Sequence, residues 1–398
     1  MSQQSCCIVG AGPAGLMLGL LLARAGVPVT VIEKHDDFLR DFRGDTIHPS
    51  TLEVMAELGL LDEFLALPHQ QAPALYAEID GRTAKMADFS RLPTRCKFIA
   101  FMPQWDFLDF LARKAAAYPG FCLLMGCQVV GLVEEDGAVQ GVRIIEKGNE
   151  RTIRASLTVG ADGRESIVRR EAGLEIEDLG SNVDVLWMRV SRRPDDPAMP
   201  MGHAGPSQGL VMIDRGAYWQ IGFVIGKGRF EDVKGDGLPE LRKRLAAVAP
   251  LPLERFEEIA AWPDVHLLRV RMDRARRWWK PGLLCIGDAA HAMSPIGGVG
   301  VNLAVQDAVA AANILAGPLK DGTCSSGHLA AVQKRRAFPT KATQKVQLMM
   351  RRKRGPAADA SQPKGPPAFL RFIARSRVLP HLTGRLIGIG FRPEHIRS

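Results

Sequence analysis

Two short apolar runs near the start of the chain enclose a longer apolar stretch. Residues 5–9 and 29–32 are rich in β-branched or apolar side chains, whereas residues 16–25 are good helix formers followed by Gly26. Runs of four or five such residues favour strands, and runs of about ten or more favour a helix. The order therefore predicts a strand–helix–strand unit that opens an α/β fold.

Apolar and polar positions alternate in two later parts of the chain, residues 75–100 and 180–270. This period of two predicts an antiparallel sheet in a second unit. The clearest alternating runs are Val183–Val190, Gly209–Ile213 and Tyr218–Ile225. These runs contain Trp187, Met188, Tyr218 and Phe223, most of which we expect to lie in the core of the sheet.

The end of the chain reads as helices joined by loops. Residues 316–330 contain Gly317, Pro318 and Gly322 and predict a loop. Residues 331–350 predict a helix, residues 355–367 an exposed linker and residues 368–377 a last helix. The apolar positions of the first of these helices are Val332, Phe338, Val346, Met349 and Met350.

Composition places the chain among ordinary globular proteins. Its 398 residues suffice for two or three domains, and 46% apolar with 24% charged residues excludes disorder, collagen and coiled coil as the overall architecture. The net charge is +9, but residues 331–398 hold 16 Lys and Arg against 2 Asp and Glu. A basic tail binds nucleic acid or anionic lipid in some proteins and is a solvated helical face in others. We favour the solvated face and expect no nucleic-acid partner.

Cysteine, histidine and carboxylate spacing indicates no metal site. Cys122 and Cys127 have the spacing of the redox pair of flavin disulfide reductases, but they fall between two predicted strands, which favours core packing. The apolar run Leu16–Leu22 is far shorter than the ~20 residues of a membrane span, and no signal-peptide cleavage site follows it. We expect a cytoplasmic protein with reduced cysteines and no transmembrane segment.

The turn between the first strand and the first helix carries the strongest chemical signal. Residues 10–15 read GAGPAG, which fits GxGxxG. Gly10 permits the tight turn, Gly12 lets the main chain approach a pyrophosphate, and Gly15 lets helix and strand pack closely. The helix N-terminus faces the phosphates, and Glu33 at the end of the second strand is placed to accept hydrogen bonds from ribose hydroxyls. The unit predicts a dinucleotide site and disfavours NADP there, without separating FAD from NAD.

Two later segments follow apolar strands and bear on the choice between FAD and NAD. Residues 158–166 read TVGADGRES, and residues 284–291 read LCIGDAAH. Asp288 stands at a strand end, where a carboxylate can hold the hydroxyls of a sugar alcohol, and His291 is expected to order the loop by a hydrogen bond. The glycines of residues 297–300 leave main chain bare for a flat ring. Gly300–Asn302 then opens a helix whose dipole favours the negative charge of a reduced flavin.

Together these motifs resemble the para-hydroxybenzoate hydroxylase type (class A) of FAD-dependent monooxygenase, over about residues 1–320. In that family the GxGxxG turn holds the ADP part of FAD. The DG motif, matched by Asp162-Gly163, lies near FAD and the nicotinamide cofactor. The GD motif, matched by Gly287-Asp288, binds the ribityl chain.

The resemblance also implies roles for single residues. Arg43 matches a segment that places an Arg beside the flavin, and Gln104 matches one whose Gln reaches the ribityl or phosphate region. Pro295 shapes the pocket on the reacting side, and His48 is a candidate for substrate protonation. The expected cofactor-binding residues are Gly10, Gly12, Pro13, Ala14, Gly15, Glu33, Lys34, Arg43, Gln104, Asp162, Gly163, Gly287, Asp288, Pro295, Gly298, Gly300, Val301 and Asn302.

The implied fold is α/β, with an FAD-binding Rossmann-like (GR2-type) domain, an inserted and mainly antiparallel substrate domain, and a C-terminal helical region. Because the alternating segments correspond to the substrate domain of the family, the resemblance makes Trp187, Met188, Tyr218 and Phe223 candidates for substrate contact. The expected boundaries are 1–74, 101–179 and 271–330 for the FAD-binding domain, 75–100 and 180–270 for the substrate domain, and 331–398 for the basic helical region.

The resemblance implies a hydroxylase of an aromatic or polycyclic phenolic small molecule. NADPH or NADH would reduce FAD, and O₂ would form a hydroperoxide at flavin C4a whose distal oxygen attacks an electron-rich ring. The nicotinamide cofactor binds transiently in the family, which agrees with the lack of a second GxGxxG. A same-fold epoxidase or prenyl-chain reductase and a regulatory protein remain alternatives, whereas the WxWxIP motif of flavin halogenases is absent. The sequence leaves open whether the protein is a homodimer.

Overall fold

The computed structural model describes residues 4–39, 46–79, 82–196, 202–204, 209–352 and 368–397. Its strands are β1 (Gln4–Val9), β2 (Val29–Ile32), β3 (Thr46–Ile47), β4 (Gln70–Ala72), β5 (Ala74–Ile79), β6 (Arg82–Asp88), β7 (Ile99–Phe101), β8 (Phe121–Leu124), β9 (Cys127–Glu135), β10 (Ala138–Glu146), β11 (Asn149–Gly160), β12 (Ile176–Asp178), β13 (Val183–Ser191), β14 (Gly202–Ala204), β15 (Gly209–Asp214), β16 (Tyr218–Gly226), β17 (His266–Leu268), β18 (Asp273–Ala275), β19 (Trp279–Lys280), β20 (Leu283–Cys285) and β21 (His291–Ala292). Its α-helices are α1 (Pro13–Arg24), α2 (Pro49–Glu57), α3 (Leu61–Leu65), α4 (Gln104–Ala116), α5 (Ile167–Glu171), α6 (Phe230–Gly235), α7 (Leu238–Ala246), α8 (Val299–Lys320), α9 (Ser326–Arg352), α10 (Ala368–Arg375) and α11 (Leu379–Gly388).

The first sheet has a parallel centre in the order β20-β11-β1-β2-β8, with β19 antiparallel at one edge. Strands β9 and β10 extend β11 as an antiparallel ribbon. All four residues of β2 are buried, as expected for a strand covered on both faces. Helix α1 contacts both α4 and α8, and its residues 14–23 are all buried. The predicted strand–helix–strand unit is therefore the centre of the largest hydrophobic core.

The second sheet is antiparallel except for the β14–β5 pair and has the order β17-β13-β16-β15-β14-β5-β6. Its strands come from residues 74–88 and 183–268, and it has its own core against α7. Met188 and Phe223 are fully buried in that core, so they are not available to a substrate. Trp187 and Tyr218 remain partly exposed. A small sheet, β3-β7-β4, leads from the first sheet into β5.

Helix α8 is longer than the glycine and proline pattern predicts. It runs through Gly317 and Pro318 to Lys320, and the predicted loop over residues 316–330 shrinks to residues 321–325 before α9 begins. Leu315 and Leu319 are buried and continue the apolar face of α8 into its last turn. Packing of that face outweighs the hydrogen bond that Pro318 cannot donate.

The segment Ile296–Lys320, which contains α8, is long and apolar enough to cross a membrane by length and composition. It is the one helix of this kind within the residues that the structure describes, and 72% of its most apolar window is buried inside the protein. Its contacts with α1 show that these apolar residues serve the core of the first sheet.

Helix α9 buries apolar residues near its start, where Val332 lies in the core as its sequence predicts, but from Arg336 onward its buried face is mostly polar. Phe338 and Met349 are 49% and 50% exposed. This helix packs against main chain from residues 273–296, whose N–H and C=O groups need hydrogen-bond partners. The buried polar residues of α9 are Arg336, Thr340, Gln344 and Gln347.

A fully buried carboxylate, Asp307 on α8, ties three segments together. Its Oδ1 accepts a hydrogen bond from Arg336 Nε at 2.9 Å, and its Oδ2 accepts from the main-chain N–H of Gly287 at 3.1 Å and from His291 Nε2 at 2.6 Å. Burial alone would raise the pKa of Asp307, but His291 and Arg336 outweigh burial and lower it. The predicted role of His291 as a hydrogen-bonding residue of its loop is confirmed.

The C-terminal helix α11 is absent from the sequence-based prediction, which ends the last helix at residue 377. Helix α10 stops at Arg375, and α11 packs its small residues on β6. A Cβ on Gly384 would lie 2.1 Å from the carbonyl oxygen of Asp88, so only glycine permits this contact. His48 Nδ1 donates to the carbonyl oxygen of Ile387 at 2.7 Å, and Ser50 Oγ donates to that of Gly388 at 3.1 Å. The chain end thus closes over α2.

Replacement of Arg336, the buried cation, tests the hydrogen-bond network around Asp307. In Arg336→Met the carboxylate of Asp307 loses its permanent counter-charge while staying buried, and we expect the free energy of unfolding to fall by about 3–5 kcal/mol. Arg143→Met removes an exposed pair with Glu150 and should cost less than about 1 kcal/mol. Denaturant titration of both variants measures the difference, and equal losses would contradict a network that depends on Arg336.

The buried imidazole of His48 predicts a pH dependence of stability. Burial lowers its pKa to about 4, from an ordinary value of 6.5, although hydrogen bonds to main-chain carbonyls partly oppose this shift. Between these values the unfolded chain binds a proton that the folded chain does not, so stability is complete above pH 6.5 and decreases as the pH falls, by up to about 1.4 kcal/mol per pH unit. His48→Gln keeps a donor for Ile387 and should lose this part of the slope. Unfolding curves measured across that window decide the point: an unchanged slope in the variant means that another group is responsible.

Candidate active site

Three parallel strands of the first sheet end side by side. Val9 at the end of β1 pairs with Gly160 at the end of β11, and Gly160 pairs with Cys285 at the end of β20. The GxGxxG, DG and GD motifs follow directly after these three positions. The carboxyl edge of a parallel sheet is where open α/β folds bind ligands. The three motifs therefore meet at one crevice.

The glycines of the first turn have the distinct roles that their spacing predicts. Gly10 has φ +101°, and a Cβ there would lie 2.5 Å from the carbonyl oxygen of Ala161. A Cβ on Gly15 would lie 1.9 Å from the carbonyl oxygen of Gly10. A Cβ on Gly12, in contrast, has no atom within 4 Å. Two of the glycines allow the chain to pack on itself, and the third faces open space where a ligand can approach.

Helix α1 presents its N-terminus to this crevice. Gly12 is its N-cap and makes no side-chain capping bond, and Pro13 occupies the first turn. Main-chain N–H groups of a first turn have no partner inside the helix, so together with the helix dipole they favour an anion. Glu33 lies beside this turn: its Oε2 accepts from the Ala11 N–H at 3.1 Å, and its Oε1 accepts from the His35 N–H at 3.2 Å. Lys34 is exposed next to it.

The DG motif is built around a helix cap. Asp162 accepts hydrogen bonds from Ser166 Oγ at 2.5 Å and from the main-chain N–H groups of Ile167 at 2.8 Å and Val168 at 3.2 Å. These bonds hold the start of α5. Gly163 has φ +82°, a conformation that favours glycine, and a Cβ there would have no atom within 4 Å. The carboxylate thus shapes the turn, and the main chain at Gly163 faces open space.

The GD motif contacts both other motifs. A Cβ on Gly287 would lie 3.2 Å from the Cβ of Ala14 on α1, so the two glycine turns touch. Arg164, directly after the DG motif, places Nε 2.9 Å from Asp288 Oδ2, and both side chains are about 30% exposed. Arg169 Nη1 donates to the carbonyl oxygen of Ala289 at 3.0 Å. The crevice therefore holds the partly exposed carboxylate of Asp288 in a fixed position.

The stretch after Pro295 is bare main chain at the start of α8. Gly297 and Gly298 have φ +81° and +63°, and Gly298 is the N-cap of α8. A Cβ on Gly298 would clash with Thr46 Oγ1 at 2.3 Å, while a Cβ on Gly300 has no atom within 4 Å. Thr46 Oγ1 donates to the carbonyl oxygen of Gly298 at 3.0 Å. The N-terminus of α8 is thus placed beside open space, as a negatively charged ligand edge requires.

Asn302 contributes to this stretch through its main chain. Its side chain is buried, and its Oδ1 accepts hydrogen bonds from Ser50 Oγ at 2.6 Å and Thr51 Oγ1 at 2.9 Å. These bonds anchor α8 to α2 on the side away from the open space at Gly300. Val301 is also buried, at 7% exposure, so its side chain too packs inside the protein.

His48 is not placed to protonate a substrate. Its side chain is fully buried, and its Nδ1–H is occupied by the carbonyl oxygen of Ile387. With its pKa lowered by burial, the ring is neutral and structural. Gln104 is the first residue of α4 and is partly exposed, and Pro295 is likewise partly exposed. Arg43 lies outside the described residues.

Several residues that organise the crevice carry no motif of their own. Three side chains hold the GD loop. Arg164 forms an ion pair with Asp288, Arg169 donates to the Ala289 carbonyl, and Asp307 accepts from the Gly287 N–H. Their partners lie more than 15 residues away in sequence, so only the folded chain brings them together. One weak signal exists: a single acid within the apolar run of α8 predicts a buried, paired carboxylate.

The crevice fits FAD better than a metal or a redox disulfide. The part of the chain that the structure describes contains no group of three His, Cys, Asp or Glu that could hold a metal ion. Cys122 and Cys127 lie on successive strands, and all seven cysteines are free thiols. Cys127 is buried and Cys122 is exposed, so only Cys127 packs in the core. The open space at Gly12 and Gly300 would be filled by any larger residue, which is the condition for main-chain contact with a phosphate and a flat ring.

Residues 3–346 match the family described as FAD binding domain. Over 397 residues the chain is 34% identical to 6-methylpretetramide 4-monooxygenase of Streptomyces rimosus, and the match covers 98% of this chain and 94% of that protein. It is 30% identical over 317 residues to rifampicin monooxygenase of Streptomyces venezuelae, covering 76% of this chain and 61% of the relative. The chain thus spans about three fifths of that second relative.

Solved structures share the fold. The p-nitrophenol 4-monooxygenase of Pseudomonas putida superposes with a TM-score of 0.78 at 20% identity, covering 98% of this chain and 99% of that one. This likeness concerns the fold alone, whereas the family match covers most of the sequence. The family match confirms the resemblance drawn from the three motifs, and it confirms FAD as the cofactor. The chain therefore belongs to the FAD-binding-domain family of FAD-dependent monooxygenases, of the para-hydroxybenzoate hydroxylase type.

Proposed function

We propose that the protein hydroxylates an electron-rich aromatic or polycyclic phenolic compound, using O₂ and either NADPH or NADH. The observation that carries the proposal is the open space at Gly300 beside the GD motif, at the N-terminus of α8. Relatives named for monooxygenation of 6-methylpretetramide and rifampicin support a polycyclic substrate class.

FAD, when bound, supplies the oxygen activation that no amino-acid side chain provides. Gly12 and the N-terminus of α1 would hold its pyrophosphate, and Glu33 would accept hydrogen bonds from its ribose. Asp288 keeps one oxygen on Arg164 and has a second oxygen for ribityl hydroxyls. These residues bind and orient the cofactor and do not take part in proton transfer.

The N-terminus of α8 supplies the electrostatic contribution. Its first-turn N–H groups and dipole would stabilise negative charge on a ring bound beside Gly300. Because Gly298, Thr46 and Asn302 fix this terminus from behind, the donors are in place before charge develops. Such preorganised donors favour the reduced, anionic state of the cofactor and so assist its reduction.

The second sheet is the surface that we propose for the substrate. Trp187 lies in a cluster with buried residues of β6, β7 and β15, including Phe101 and Ile213. Phe101 pairs with Thr46, which bonds Gly298, so this cluster is connected to the glycine stretch by one small sheet. A flat, apolar ring placed between the two would be shielded from water, which limits loss of activated oxygen.

A panel of phenols and aromatic acids tests the proposal. We expect the purified holoenzyme to oxidise NAD(P)H faster with the correct substrate and to consume O₂ in proportion to hydroxylated product. NAD(P)H oxidation without O₂ uptake would instead indicate a prenyl-chain reductase, and an epoxide product an epoxidase. A protein that holds FAD but oxidises no NAD(P)H with any compound would contradict an oxygenase role.

Gly12→Val tests the pyrophosphate position. A Cβ on Gly12 meets no atom of the protein, so the variant should fold with unchanged stability. The added side chain would occupy the space assigned to the pyrophosphate, and we expect colourless protein with an affinity for FAD at least about a hundredfold weaker. Gly317→Val, at an equally open glycine of α8, is the matched control and should retain FAD. Absorbance of the purified variants at flavin wavelengths gives the answer, and a yellow Gly12→Val protein would place the pyrophosphate elsewhere.

Asp288→Ala tests the ribityl contact. The variant removes a charged acceptor, and loss of one such hydrogen bond predicts FAD binding weaker by about 10- to 100-fold, with the fold retained. Glu165→Ala removes the partner of Arg271 in an exposed ion pair just after the DG motif and serves as control. Titration of apoprotein with FAD measures both dissociation constants. Equal constants in Asp288→Ala and wild type would remove Asp288 from the site.

A further inference from the structure

Three glutamines of α9 bind main chain of the segment between β18 and α8. Gln333 accepts from the Trp278 N–H at 3.1 Å and donates to the Arg276 carbonyl at 3.0 Å. Gln344, which is fully buried, donates to the carbonyl oxygens of Asp273 at 2.8 Å and Ala292 at 3.1 Å. Gln347 continues the series two residues further along the same segment. Together they replace the strand partner that this main chain lacks on the α9 side.

Gln347 holds the two residues that flank Pro295. Its Oε1 accepts from the Ser294 N–H at 3.1 Å, and its Nε2 donates to the carbonyl oxygens of Ser294 and Ile296, each at 3.0 Å. The side chain is only 4% exposed. Directly after the residues bonded by Gln347, the Gly298 N–H donates to the Pro295 carbonyl at 3.0 Å and closes a turn.

An amide is the side chain that this position requires. Ser294 presents a donor and an acceptor, and Ile296 presents a second acceptor, so the partner must donate twice and accept once. Gln does both from one planar group, whereas a carboxylate only accepts and an apolar side chain does neither. The turn itself cannot supply these bonds, because Pro295 has no N–H and the following glycines have no side chains.

We propose that Gln347 is a positioning residue that fixes the turn of residues 294–298 and thereby sets where the flavin ring lies. This inference rests on the proposed placement of the ring against residues 297–300. Gln347 does not touch that stretch; it acts through the main chain on both sides of Pro295. A shift of the turn would move the Gly298 N-cap, and with it the α8 N-terminus that faces the ring edge.

Gln347→Glu is the sharpest test because it changes the chemistry and keeps the shape. The variant can still accept from Ser294 N–H but places a carboxylate oxygen against two carbonyl oxygens. Gln333→Glu is the matched control: on the same helix it loses its one donor bond, to the Arg276 carbonyl, which is remote from the turn. Gln347→Asn, which retains an amide one methylene shorter, is a milder variant that keeps the test valid if Gln347→Glu does not fold.

Two readouts that need no turnover decide the outcome: the dissociation constant for FAD and the visible circular dichroism of bound FAD. We expect Gln347→Glu to weaken FAD binding by at least about tenfold and to change the dichroism, with Gln347→Asn intermediate. Gln333→Glu should stay within about twofold of wild type and keep the wild-type spectrum, although its melting temperature also falls. If Gln347→Glu and Gln347→Asn lose thermal stability but bind FAD with wild-type affinity and spectrum, Gln347 is merely structural and the proposal is overturned.

The proposed role of Gln347 and the proposed hydroxylase function can be contradicted independently of each other. Wild-type protein that binds FAD and forms no hydroxylated product contradicts the hydroxylase assignment and leaves the binding test of Gln347 intact. Release of hydrogen peroxide during NAD(P)H oxidation adds an independent measure. We expect Gln347→Glu to release several-fold more hydrogen peroxide per NAD(P)H than Gln333→Glu. A misplaced ring would expose the activated oxygen to water, and the oxygen would leave as hydrogen peroxide before it reaches the substrate.

Discussion

The structure depends on one constraint: the glycine-rich loops at the carboxyl edge of the first sheet have to be rigid although their glycines have no side chains to hold them. Residues 10–15 and 297–300 are glycine-rich because Gly12 and Gly300 must face open space. Glycine raises the entropy that folding has to overcome. The protein meets this constraint by binding the opposite side of each loop with polar side chains from elsewhere. Glu33 binds Ala11, Asp307 binds Gly287, and Gln347 binds Ser294 and Ile296.

This arrangement explains why so many charged and polar groups are buried behind the site. A buried ion pair contributes little net stability, because removing both charges from water offsets most of their attraction. Asp307 and Arg336 are nevertheless 0% and 1% exposed, and they connect the GD loop with α9 and the chain end at Glu394. Their direction-specific hydrogen bonds fix geometry in a way that apolar packing of the same volume does not. We infer that the network is retained for the position of the loop.

The sequence predicted the main-chain part of the site and missed the side chains behind it. The spacing of Gly10, Gly12 and Gly15 has a purely local cause, so the turn and its three roles could be derived from the residues alone. The polar face of α9 could not, because its partners lie in distant segments: the Asp307 carboxylate is 29 residues before Arg336, and the Ser294 main chain is 53 residues before Gln347. The same pattern of Phe338 and Met349 reads as an apolar face when the surface that α9 covers is unknown. Helix α11 was missed for a related reason: Gly384 and Gly388 look like helix breakers until the close approach to Asp88 and Phe89 is seen.

His48 and Asn302 show that a position in a motif does not tell which atoms of a residue act. Both were predicted beside the flavin, and both direct their side chains away from the open space, to Ile387 and to Ser50 and Thr51. Around the crevice, main chain therefore faces the open space, and these two side chains are bonded inside the protein. The second sheet has the reverse arrangement, since Trp187 and Tyr218 present partly exposed side chains from regular strands. The two regions have separate hydrophobic cores and are joined by the β3-β7-β4 sheet and by α11, which packs on β6 and accepts a hydrogen bond from His48 at the start of α2. A residue that faces a substrate from such a sheet would need only an exposed position on a strand, which many side chains can occupy, so no spacing signal comparable to GxGxxG would mark it in the sequence.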